Sequence, residues 1–146
     1  MEKLEFKITI AASPQQVWNT MLHPQTYREW TGVSWPGSYY EGRWEAGENL
    51  RFISPGGSGT LVRLVEHRPY AFSKAEHIAI LKQGGAEDRD SKEAKDWIGT
   101  TESYTFTETA AGTELTVTME TKPDFAGMFT ADFPKALAKL KELCER

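Results

Sequence analysis

His77 and Glu102 are the residues whose types and positions best fit a chemical role in this sequence. His77 lies in a segment, Tyr70 to Leu81, in which one set of alternate residues is small or apolar apart from the histidine. The other set includes Lys74 and Glu76, whose charges favour solvent, so the alternation predicts a strand with His77 on its inner face. The small residues beside it would leave room for a pocket in which His77 is the polar group. The alternative is a histidine that is hydrogen-bonded in the core or simply solvated.

Glu102 shares one face of the segment Thr101–Glu108 with Tyr104 and Phe106. If this aromatic face is the core face, the carboxylate is drawn toward the interior, where an unpaired charge is costly and the neutral form is favoured. Such groups are candidates for functional sites, and His77 with Glu102 would in principle form an acid–base pair. No spacing in the sequence brings the two together, and the alternative places Glu102 at the pocket rim, in water. We therefore assign no catalytic residue.

Aromatic residues complete the predicted pocket. Trp97 ends a charged segment that is predicted to form a short helix, with Asp90 as its N-cap and Gly99 after its last turn. It either covers the pocket as a lid or packs on the edge of the sheet. The C-terminal segment has Phe125, Met128, Phe129 and Phe133, which are predicted to be core residues that also border a cavity. The predicted ligand cavity is lined by His77, Trp97, Glu102, Tyr104, Phe129 and Phe133.

The remaining reactive residue types form no recognisable site. The histidines His23, His67 and His77 lack the spacing of metal ligands, so we expect no metal. The Gly-rich segment 56–59 lacks the Lys-Ser/Thr that completes a phosphate-binding loop. Cys144, near the end of the predicted terminal helix, is a poor candidate for a nucleophile. The sequence therefore predicts no cofactor.

Composition narrows the class of protein. The chain has 146 residues, with 17 Lys and Arg against 21 Asp and Glu, which fits one domain over residues 1–146. The net charge of −4 gives no electrostatic footprint for nucleic acid. The single cysteine excludes an intrachain disulfide and favours a reducing compartment. Because no apolar run is long enough to span a membrane either, we expect a cytoplasmic protein.

The order of elements predicts an α+β protein. Alternation from Leu4 to Ile10 predicts a first strand, and Ser13-Pro14 and His23-Pro24 then begin two short helices. A helix over Phe125–Leu143 carries a regular apolar stripe, and Pro134 is expected to kink it or restart it. Six further strands are predicted between the helices: Tyr39–Ala46, Asn49–Ile53, Thr60–His67, Tyr70–Leu81, Thr101–Glu108 and Thr113–Thr121.

Several stretches of the chain resemble a known superfamily. They are "FKITIAASPQQVWNTML", "YREWTG", "GRWEAGENLRF", "VEHRPYAF", "ESYTFTET", "GTELTVTME" and "FPKALAKLKELCE", which together span nearly the whole sequence. The chain resembles the START-like, or SRPBCC, superfamily, and most of all the branch named after the activator of the heat-shock-protein-ninety ATPase. The resemblance implies a helix-grip fold, in which a curved seven-stranded antiparallel sheet wraps around the long C-terminal helix and a cavity lies between them.

The resemblance is specific for the fold and leaves three functions open. The first is a small-molecule binding module that holds an apolar or amphipathic ligand in the cavity. The second is a cochaperone-like module that binds a protein partner and regulates an ATPase. The third, an enzyme with cyclase or hydrolase chemistry at His77 and Glu102, is the least favoured by the sequence.

Overall fold

The structure is a computed structural model that describes residues 1–146, and it contains one antiparallel sheet and four helices. In chain order the elements are β1 (Glu2–Ile10), α1 (Pro14–Leu22), α2 (Pro24–Gly32), β2 (Tyr39–Gly42), β3 (Asn49–Ile53), β4 (Gly59–Arg68), β5 (Phe72–Leu81), β6 (Glu87–Asp88), α3 (Lys92–Trp97), β7 (Thr101–Thr109), β8 (Gly112–Thr121) and α4 (Pro123–Cys144). The sheet order is β1-β8-β7-β5-β4-β3-β2, with β6 paired to β5. This confirms the predicted α+β helix-grip fold, with the two-residue β6 as an addition.

Strands β1 and β8 pair over the whole length of β1. Phe6 lies opposite Val117 and Ile8 lies opposite Leu115 in an antiparallel register. Because side chains alternate between faces, the apolar residues of both strands point to the same side, as the sequence predicted. The long helix α4 covers that side, where the ring of Phe6 stacks on Phe133 with 5.1 Å between ring centroids.

Helix α4 supplies the other half of this core. Its buried stripe consists of Ala126, Phe133, Ala136, Leu137, Leu140 and Cys144. The helix is continuous through Pro134, so the predicted restart of the helix at this point does not occur. Phe125 and Met128 are exposed, contrary to the prediction that they are core residues, because nothing covers the outer side of the first turns. No helix has both the length and the apolar composition that crossing a membrane requires.

The two short helices begin where the sequence predicted. The Ser13 hydroxyl accepts a hydrogen bond from the Gln16 amide at 3.1 Å, and Pro14 occupies the first turn. The Gln16 side chain, however, does not reach back to close a capping box. It donates a hydrogen bond to the Cys144 carbonyl at 2.9 Å, which ties α1 to the end of α4.

Some element boundaries differ from the predictions. Strand β2 ends at Gly42, whose φ of +117° turns the chain, so residues 43–46 form a loop and not the end of a strand. Strand β5 begins at Phe72 because Tyr70 has a φ of 66° and belongs to the turn. The N-cap of α3 is Ser91, whose hydroxyl accepts from the Ala94 amide at 3.0 Å, and not Asp90.

Candidate functional site

A partly open cavity of about 210 Å³ lies between the sheet, α2 and α4. Strands β3, β4, β5, β7 and β8 form one wall, and the helices with the loops around Trp35 and Trp44 form the other. The volume falls below the roughly 300–1,000 Å³ of pockets for drug-sized ligands, so the cavity suits a smaller molecule.

The structure places all six residues of the predicted cavity around this one space. They are His77 of β5, Trp97 of α3, Glu102 and Tyr104 of β7, and Phe129 and Phe133 of α4. In the sheet, Glu102 lies directly opposite Ala75, which is two residues from His77 on the same face of β5. The geometry therefore brings the six residues together around one cavity.

Strand β5 points His77 inward for the reason that the alternation indicates. Ser73, His77 and Ala79 are buried, whereas Lys74 and Glu76 on the other face are half-exposed. Small side chains at positions 73 and 75 leave the space that a larger residue would fill. The small size of the inner side chains of β5 therefore creates part of the cavity.

His77 is both hydrogen-bonded and part of the cavity wall. Its Nδ1 lies 2.9 Å from the Thr60 hydroxyl, and its ring packs against Trp97 with 4.8 Å between centroids. Burial disfavours the charged imidazole and lowers its pKa to about 4, although Glu120 opposes this shift. His77 is therefore a neutral group at neutral pH.

Glu102 is a carboxylate in largely apolar surroundings. It accepts a hydrogen bond from the Tyr104 hydroxyl, and no Lys, Arg or His side chain forms an ion pair with it. Burial raises the pKa of Glu102, and the hydrogen bond from Tyr104 offsets part of that rise. Burial and the negative charge of Glu102 also raise the pKa of both Tyr104 and Tyr27, so the two hydroxyls stay protonated.

No hydrogen bond joins His77 to Glu102, so the structure does not form the acid–base pair that the sequence left open. The Nδ1 of His77 faces Thr60, and the carboxylate of Glu102 faces Tyr104. Ser73 of the wall has its hydroxyl 2.8 Å from Nδ1 of His67, a residue that does not line the cavity. Burial lowers the pKa of His67 as well, but no carboxylate orients its ring as in a nucleophilic triad.

Sequence reasoning missed five aromatic residues of the wall. Tyr27 and Trp30 belong to α2, Phe52 belongs to β3, and Trp35 and Trp44 lie in loops. Trp35 packs on Phe133 with 5.7 Å between centroids, and the indole N–H of Trp44 is buried without a hydrogen-bond partner. Two tryptophans in turn-rich segments were the available signal, because such large apolar side chains need a place to be buried.

Comparison with known proteins identifies the family. The sequence profile described as "Activator of Hsp90 ATPase homolog 1-like protein" matches residues 11–145. The chain belongs to this family. Family membership and the fold together indicate, in general terms, a ligand-binding or cochaperone-like module. No curated protein sequence matches the chain significantly.

Solved structures of similar shape support the fold. The solution structure of the Aha1 dimer from Colwellia psychrerythraea has a TM-score of 0.73 at 18% identity, covering 99% of this chain and 97% of that one. Protein MLL2253 from Mesorhizobium loti has a TM-score of 0.72 at 15% identity, with coverage of 97% and 96%. Protein CV1439 from Chromobacterium violaceum has a TM-score of 0.68 at 15% identity, with coverage of 100% and 99%. At these identities the likeness extends to the fold alone.

The protein has no group of three or more His, Cys, Asp or Glu side chains arranged to hold a metal ion. Its one cysteine, Cys144, is buried, and burial raises the pKa of the thiol. A protonated, inaccessible thiol is a weak nucleophile.

Proposed function

We propose that the chain is a small-molecule binding module that holds an amphipathic ligand in the cavity between the sheet and α4. The observation that carries this proposal is the unfilled, aromatic-lined space at the centre of an otherwise packed fold. Interiors normally pack without voids, so an apolar cavity of this size needs a reason. A ligand with an apolar body and one polar end would bury its body against the aromatic rings and direct its polar end toward Glu102 or His77.

Intrinsic fluorescence provides a direct test because four of the five tryptophans line the cavity: Trp30, Trp35, Trp44 and Trp97. We expect titration with octanol, a small neutral amphiphile, to change the tryptophan emission saturably. Ala75→Leu fills the cavity from the β5 wall and is expected to abolish the change. Ala138→Leu adds the same volume on the exposed side of α4 and is the matched control.

Absence of a saturable change in the wild type would contradict the proposal. So would equal binding by the wild type and Ala75→Leu, because the ligand would then occupy some other place. Loss of binding in Ala138→Leu as well would show that added volume in general, and not filling of the cavity, is responsible.

A cochaperone-like module that regulates an ATPase is the second candidate function. The exposed Phe125 and Met128, one turn apart on α4, favour it, because large apolar residues on a surface are suited to contact with a partner. The expected result is faster ATP hydrolysis by a purified Hsp90-type chaperone when the chain is added. Phe125→Ser combined with Met128→Ser is expected to remove that stimulation and to leave octanol binding unchanged.

A further inference from the structure

The charge balance of the cavity is one-sided. Two carboxylates line it, Glu102 and Glu120, and no Lys or Arg side chain does. The only imidazole of the wall, that of His77, is neutral because burial lowers its pKa to about 4. The protein itself therefore supplies no cation to balance negative charge inside the cavity.

Of the two carboxylates, Glu102 accepts fewer hydrogen bonds. One oxygen of Glu120 accepts hydrogen bonds from the Thr101 amide at 2.9 Å and from the Thr101 hydroxyl at 3.0 Å. Glu102 receives a single hydrogen bond, from Tyr104, and its neighbours across the sheet are Ala75 and Met119. A carboxylate accepts several hydrogen bonds, so Glu102 keeps unused capacity that faces the cavity.

Aromatic rings line most of the cavity to which Glu102 belongs. Nine aromatic residues line the cavity: Tyr27, Trp30, Trp35, Trp44, Phe52, Trp97, Tyr104, Phe129 and Phe133. The faces of such rings carry partial negative charge and attract organic cations. Rings and carboxylate thus favour the same kind of head group, and both disfavour an anion.

We infer that the cavity selects amphipathic organic cations, with the ammonium group of a protonated amine paired to the Glu102 carboxylate and the apolar body held by the aromatic rings. This inference rests on the proposed function and specifies its ligand class. A cation would supply the charge that the cavity lacks, and its N–H groups would use the free acceptor positions of Glu102. A carboxylate ligand would instead meet Glu102 as a like charge in poorly solvated surroundings.

The test compares three head groups on one alkyl chain: octylammonium, octanol and octanoate. Each is titrated by calorimetry at neutral pH, the two ions below their micelle concentrations and octanol below its solubility limit. We expect octylammonium to bind about tenfold or more tighter than octanol, and octanoate to bind most weakly. In Glu102→Gln, octylammonium is expected to lose this advantage, while the affinity for octanol changes less than about threefold. Glu108→Gln, an exposed carboxylate on the same strand, is the control and is expected to keep the wild-type order.

The outcomes separate this inference from the proposed function. Binding of all three compounds with equal affinity would overturn the cation selectivity and leave the binding module intact. An unchanged preference for octylammonium in Glu102→Gln would also overturn it, because the carboxylate would then not be the selective group. If none of the three compounds binds to the wild type, the proposed function fails together with the inference.

Discussion

The inner face of the sheet has two regions, one of which is packed while the other is hollow. In the packed region, where β1 and β8 meet α1 and α4, the side chains of Ile10, Val17, Leu115, Val117 and Leu140 are fully buried against one another. In the hollow region, where β5 and the first half of β7 face α2, the inner positions hold Ser73, Ala75, His77 and Glu102. The pairing of β1 with β8 and of β5 with β7 is regular, whereas β5 pairs with β4 across two register shifts. The two regions also differ in the size and polarity of their inner side chains, and this difference separates a region that stabilises the fold from one that we propose is available for a ligand.

The largest effect is expected in the packed region. Leu140→Ala removes a fully buried side chain from α4 and is expected to lower the free energy of unfolding by about 2–5 kcal/mol, through lost burial and a residual cavity. Urea denaturation measures this loss. A loss below about 1 kcal/mol would show that this region is as loosely packed as the hollow one.

The next effect depends on pH and belongs to the hollow region. The pKa of His77 is about 4 in the folded protein against 6.5 when unperturbed, so the unfolded chain binds a proton first as the pH falls. The wild type is therefore expected to lose up to about 3 kcal/mol of stability from this group between pH 6.5 and 4. Comparing the free energy of unfolding of the wild type and His77→Gln across this pH range isolates the contribution of His77, because glutamine keeps a polar group but does not titrate. Parallel pH profiles of the two proteins would contradict the assignment.

A matched pair of substitutions compares the two regions directly. Ala136→Leu adds volume to the packed region and is expected to cost about 1–3 kcal/mol, because the surrounding side chains must move. Ala75→Leu adds the same volume to the wall of the cavity, where space is present, and is expected to cost less than about 1 kcal/mol. Thermal and urea unfolding of both variants provide the comparison. Equal costs would mean that the hollow region closes in solution.

The smallest change in stability is expected for Glu102→Gln, where the sign of the change is more informative than its size. Burial raises the pKa of Glu102 above its ordinary 4.5, so stability from this group is present at low pH and is lost as the pH rises through the folded-state pKa. Glu102→Gln is therefore expected to stabilise the protein slightly at pH 7. The difference in stability between the wild type and Glu102→Gln should shrink as the pH falls below 4.5, because the Glu102 carboxyl then becomes protonated in both the folded and the unfolded chain. A destabilised variant at pH 7 would show that the carboxylate serves the fold more than the cavity.

Alternation was enough to predict the strand faces. The charges of Lys74 and Glu76 identify the outer face of β5, and a period of two then fixes the direction of His77. The same reasoning, with Tyr104 and Phe106 as the apolar residues, predicts the direction of Glu102. Alternation does not predict the hydrogen-bond partners of His77 and Glu102. Their pairing with Thr60 and Tyr104 depends on the register between strands and on side-chain rotamers.

The loops and the helix ends were less predictable. Trp35 and Trp44 lie in loops, where no periodicity relates a residue to a buried face. For Phe125 and Met128, helical spacing gives the direction of a side chain but does not show whether another element covers that turn. Both cases depend on contacts between segments far apart in the chain, which a single sequence does not display.

The five indole N–H signals provide the sharpest measurement, because they report on both regions in one spectrum. Trp30, Trp35, Trp44 and Trp97 line the cavity, whereas Trp18 packs against Phe106 outside it. In a two-dimensional ¹H–¹⁵N spectrum, titration with octylammonium is expected to shift the four cavity signals saturably and to leave the Trp18 signal in place. If no indole signal shifts, or if Trp18 shifts as far as the other four, the hollow region is not a ligand site.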